Sequence, residues 1–215
     1  MNTSYNVAVI DIGSPKLGNL GWCLIDTDKD REYTGVHLDE LFPLLPVILK
    51  RKGLLLGLEA PLFVPLRDDL MKITKGRLGE SRRPWSAGAG AQVLALNLPI
   101  MVYLFEGIKK QVPSVDVRIN ETNFLSKPNQ VVIFEALVSG SDKGSSHIED
   151  ATIMARSCAN YGKIKKLPSS ILEDEEGTRY FNLAAAALLR VGLINQLDAL
   201  HQYSSIYKPE NSPLP

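Results

Sequence analysis

The chain contains two cysteines, Cys23 and Cys158, in 215 residues. Both lie inside apolar runs and neither shows the spacing of a metal-binding cysteine pair. They read as reduced core thiols of an intracellular protein, with a disulfide between them the less favoured alternative. Excess charge of one sign is also missing: Lys+Arg and Asp+Glu both number 24. No global field therefore attracts a polyanion, and any nucleic-acid contact must rely on a local basic patch. No apolar run reaches the roughly 20 residues that a membrane helix needs. No charged-then-apolar leader precedes the first strand pattern, so a signal peptide is not expected and a cytoplasmic location is. No internal repeat is visible.

Apolar segments are present in quantity. At 45% hydrophobic content the chain can bury a sizeable core as one domain. Tyr5 to Asp11, Leu20 to Asp26 and Glu32 to Leu38 read as three strands joined by short turns, which favours an antiparallel meander. Asp39 is placed to cap a helix from Glu40 to about Lys50, distorted at Pro46. Leu54 to Glu59 and Gln130 to Val138 are unbroken apolar runs suited to parallel strands covered on both faces. A helix bent at Pro99 is expected from Ala89 to Lys110, and another carries His147 and Asp150. Phe181 to Leu200 is most simply a helix, although Phe181 to Leu188 also suits a strand. The expected fold is α/β: a mixed sheet, an antiparallel three-strand meander followed by parallel strands, flanked by helices. One domain would cover residues 1–203, with its core at 5–160, a helical extension at about 178–203 and a tail at 204–215.

Acids end two of the buried strands. Asp11 closes Val7-Ala8-Val9-Ile10, and Glu59 closes the run from Leu54. A carboxylate there is costly to desolvate without a cation or hydrogen bonds. Ligands in open α/β sheets gather at the carboxyl ends of strands. His147 and Asp150 are one helical turn apart and share a face, whereas Glu149 points away. Asp11, Glu59 and Asp150 are therefore candidate ligands of Mg2+ or Mn2+, with His147 as ligand or proton-transfer group. In a two-metal site Asp11 would bridge both ions. Glu135 interrupts an apolar strand and is a further candidate ligand, although alternation leaves its face open.

Basic residues concentrate in the irregular stretch from Pro61 to Gly90. Lys72, Lys75, Arg77, Arg82 and Arg83 there are followed by Trp85, which suits either base stacking or packing. A phosphate-binding flap and a solvated loop are both compatible with this tract. Lys16, in a glycine-containing turn after the first strand, and Lys143, in the loop before His147, are further candidates for contact with nucleic acid.

Ile10-Asp11-Ile12-Gly13-Ser14-Pro15-Lys16-Leu17-Gly18 resembles the opening motif of the ribonuclease H-like superfamily, in particular Holliday-junction resolvases of the RuvC type. Leu58-Glu59-Ala60-Pro61 is similar to their strand-end glutamate, and His147-Ile148-Glu149-Asp150-Ala151 resembles their final-helix pair. A widespread group of predicted nucleases on the same fold carries a similar order of acids, matched here by Asp11, Glu59, Glu135 and Asp150. Ile12 replaces the usual resolvase proline, and the last sixty-odd residues lie outside that pattern. The resemblance implies a ribonuclease H-like fold, metal-dependent phosphodiester hydrolysis, a nucleic-acid partner and a possible homodimer. Two alternatives stand beside it: an actin-like nucleotide-dependent kinase of small molecules, and an inactive nucleic-acid-binding scaffold.

Overall fold

Four apolar residues between Asn6 and Asp11 drive strand β1 (Asn6–Asp11), and all six of its residues are buried. In a computed structural model, described at residues 5–80, 84–120, 127–138, 142–163, 167–172 and 178–209, β1 lies near the middle of a seven-stranded mixed sheet. Strands β2 (Gly21–Asp26) and β3 (Arg31–Gly35) follow it as an antiparallel meander. On its other side come β4 (Leu54–Glu59), β7 (Gln130–Ala136) and β6 (Asp116–Arg118), all parallel to it. The path across the sheet is β3-β2-β1-β4-β7-β6. Strand β5 (Phe63–Leu66) pairs apart from it with β8 (Arg179–Asn182), antiparallel.

Period-two alternation sorts the core into two layers. Ala8, Ile10, Leu54, Leu56, Leu58, Val131 and Ile133 face one side, under the helices α1 (Leu38–Leu41), α2 (Leu45–Leu49), α3 (Gly88–Gln111) and α5 (Leu183–Val191). Val7, Val9, Cys23, Leu55, Val132 and Phe134 face the other, under α4 (His147–Lys163), which contributes Ala151, Met154, Ala155 and Cys158. Both cysteines are free and buried.

Several expected boundaries move. The single helix expected over residues 40–50 is split into α1, a 3-10 turn at Phe42–Leu44, and α2. Pro43 and Pro46 lack the N–H that would carry a continuous helix through them. Asp39 caps nothing; it accepts a hydrogen bond from the Tyr103 hydroxyl at 2.6 Å. The helix expected over 181–200 is only α5, because Asn182 ends β8 and its side chain accepts from Ala185 N at 2.8 Å. Gly192, at φ 74°, closes that helix in the left-handed region. The expected tail is also partly core: Ile206–Tyr207 form β9, parallel to the end of β7, and both residues are buried.

Helix α3 corrects the expectation that nothing has the dimensions of a membrane span. Its 24 residues are long and apolar enough by length and composition. One face is committed to the core through Ile100, Met101, Leu104, Phe105 and Ile108.

Candidate metal centre

Parallel register aligns Asp11 with Glu59 as direct neighbours at the ends of β1 and β4. Counting by twos from Val7, Val9 and Leu55 puts both carboxylates on the face that α4 covers. On the other side of β1, Asp11 pairs with Gly21 of β2. A Cβ at Gly21 would stand 2.3 Å from Ile148 N and 2.4 Å from the His147 carbonyl carbon. The missing side chain is therefore what admits the first turn of α4 to the sheet beside Asp11.

Ser146 fixes where α4 begins. Its hydroxyl accepts from Glu149 N at 3.2 Å, and Glu149 turns back to accept from Ser145 N at 2.7 Å, a reciprocal N-terminal cap. Glu149 is thereby held outside the centre. Asp150 lies on the stripe of Ala151 and Met154 and is buried. Oxygens of Asp11, Glu59 and Asp150, from three separate elements, all lie within 4.8 Å of one another. His147 stands outside that group and joins it through Asp11, its Nδ1 lying 2.6 Å from Asp11 Oδ2.

Confinement makes ionisation of the cluster costly. Burial, followed by the charges of Asp11 and Asp150, pushes the Glu59 carboxyl up to about 9, and nearby Lys143 opposes this. Burial likewise raises Asp11 to about 6, with His147 and Lys143 pulling against it. Glu59 Oε2 is buried without a hydrogen-bond partner. A hard divalent cation fits these donors: carboxylate oxygens from three elements facing one another, with one Glu59 oxygen unsatisfied. No family model, curated protein or solved structure matches this chain. The case for a site thus rests on its own chemistry.

The remaining candidates separate. Glu135 is not with the other acids: its register partner is Leu58, so it faces the opposite side of the sheet. There Arg77 binds both its oxygens, Nη2 to Oε1 at 2.5 Å and Nη1 to Oε2 at 2.8 Å, and Leu62 N donates to Oε2 at 3.0 Å. Arg77 also meets Glu80 at 2.6 Å and stacks over the Phe63 ring at 4.5 Å. Arg77 is only 5% exposed, so it is an internal anchor of the 61–90 stretch and not a phosphate contact. A charge inside a fully buried strand demands a partner, and that demand is the sequence signal for this pair.

Trp85 donates its indole N–H to the Lys75 carbonyl at 3.3 Å. Lys16, Lys72 and Lys75 are exposed, Lys72 alongside Asp69. Arg82 and Arg83 lie outside the described residues. Lys143, expected to face nucleic acid, turns toward the acids, 3.1 Å from Asp150 and 3.8 Å from Glu59. Gly144 N donates to the other Asp150 oxygen at 2.6 Å.

Proposed function

We propose that this protein is a ribonuclease H-like, divalent-metal-dependent nuclease that hydrolyses phosphodiester bonds of a structured or single-stranded nucleic acid. The observation that carries the proposal is the convergence of Asp11, Glu59 and Asp150 within 4.8 Å at the ends of parallel strands. Support for the fold reading comes from an antiparallel meander that leads into parallel strands, and from α4, which packs across β1 and β2.

Mg2+ or Mn2+ bound here supplies activation of water and neutralises charge on the phosphoryl oxygens. Asp11, Glu59 and Asp150 hold the metal, and the unsatisfied Glu59 oxygen is the natural additional donor. His147 engages Asp11 through Nδ1, which leaves Nε2 to accept or return a proton beside the reacting phosphate. Exposed Lys16 lies in the turn directly after β1, where it meets the backbone of a bound strand as a point charge.

One observation favours a second possibility, an inactive nucleic-acid-binding scaffold: Lys143 already provides a cation to two of the acids. The two are separated by incubating purified protein with a panel of DNA and RNA substrates in Mn2+ or Mg2+. The nuclease cleaves at least one class, and Asp11→Asn or EDTA abolishes cleavage. The scaffold binds without cleaving any of them.

A further inference from the structure

Three carboxylates drawn together from β1, β4 and α4 repel one another wherever they are ionised. The lysine bridging two of them, Lys143, is placed by backbone as well as by charge. Gly144 N is tied to Asp150 Oδ1 at 2.6 Å, and the Lys143 ammonium reaches Asp150 Oδ2 at 3.1 Å. From there it stands 3.8 Å from Glu59 Oε1. The acids it meets are largely buried, at 5% and 13% side-chain exposure, whereas Lys143 keeps 42%. It reaches into the centre from the rim and has room to leave.

A divalent ion held by Asp150 and Glu59 needs the oxygens that this ammonium contacts. Two cations cannot share them at such separations without strong repulsion. We infer that Lys143 is a built-in counter-cation that occupies the acid centre until a divalent ion displaces it, so that it sets the metal affinity. The inference rests on Asp11, Glu59 and Asp150 forming a metal centre. Lys143 holds the acids together in the metal-free protein and competes for them when metal arrives.

Calorimetric titration of the full chain with MnCl2 tests this, using wild type, Lys143→Met, Lys143→Gln, Lys143→Arg and Asp11→Asn. Removing the positive charge tightens Mn2+ binding roughly tenfold in the Met and Gln variants, the scale of one close charge pair. Arg, which keeps the charge, stays near wild type. In EDTA the Met and Gln variants melt below wild type, and saturating Mn2+ closes that gap. If Met and Gln bind Mn2+ no more tightly than wild type, while Asp11→Asn binds weakly, the counter-cation role is wrong and the metal centre stands. If neither wild type nor any variant binds Mn2+, the metal centre falls and this inference with it.

Discussion

Asp11 and Gly21 stand opposite each other across β1 and β2, and the bare backbone at Gly21 is what allows α4 to bring Asp150 and His147 to Asp11. The first turn of α4 occupies the volume that any side chain at position 21 would fill. Gly21→Ala therefore forces that turn outward. The expected cost is about 1–3 kcal/mol in urea denaturation, with a matching loss of Mn2+ affinity. Unchanged Mn2+ affinity in a folded Gly21→Ala protein would show that the docking of α4 does not set the centre.

His147 and the three acids should separate in a binding assay. His147 contacts Asp11 but lies outside the carboxylate group. His147→Ala is expected to bind Mn2+ within a few-fold of wild type while losing about 10²–10⁴-fold in cleavage rate, the range typical of a proton-transfer group. Asp150→Asn should lose both. Equal loss of Mn2+ binding in the two variants would make His147 a direct ligand.

On the opposite face, Arg77 and Glu135 predict a stability effect distinct from a metal effect. Arg77→Met leaves Glu135 and Glu80 buried without their cation, which is expected to cost about 3–5 kcal/mol. Glu135→Gln should also destabilise the fold, yet leave the Mn2+ affinity of the folded protein within a few-fold of wild type. A specific loss of Mn2+ binding in a well-folded Glu135→Gln variant would return this residue to the centre.

These two residues also mark the limit of what the sequence makes legible. The apolar runs at β1, β4 and β7 are plain, and so are the acids that end the first two. Parity was the missing information for Glu135. Until Leu58 is known to pair with it, the residue fits either face, and only register assigns it to the Arg77 side. Arg77 reads as part of a charged tract because Glu135, the acid that both its terminal nitrogens bind, is distant in sequence. Strands β5, β6 and β9 are too short to stand out from local pattern: β6 and β9 form along the edge that the longer β7 leaves to pair, and β5 forms against the equally short β8, distant in sequence. The glycine at position 21 looks like an ordinary strand-initiating residue until the helix that needs its space is placed.

Metal-free protein should lose stability as pH rises. The Glu59 carboxyl, at 4.5 in an ordinary setting, lies at about 9 in the fold, and Asp11 moves from 3.8 to about 6. Between those limits the native state binds more protons than the unfolded chain, so the slope of unfolding free energy against pH is negative from these groups. Their contribution is fully present below about 4 and is lost progressively toward pH 9. Melting in EDTA across that range should show the decline relative to Glu59→Gln, and saturating Mn2+ should offset it. A wild-type profile that parallels Glu59→Gln would mean that Glu59 carries no such strain.

The most direct test of the central claim is the anomalous difference map of a crystal soaked in MnCl2. A Mn2+ peak is expected among the carboxylates of Asp11, Glu59 and Asp150, with the Lys143 ammonium withdrawn from Asp150. A map with no peak there at saturating Mn2+, and Lys143 still paired with Asp150, would contradict it.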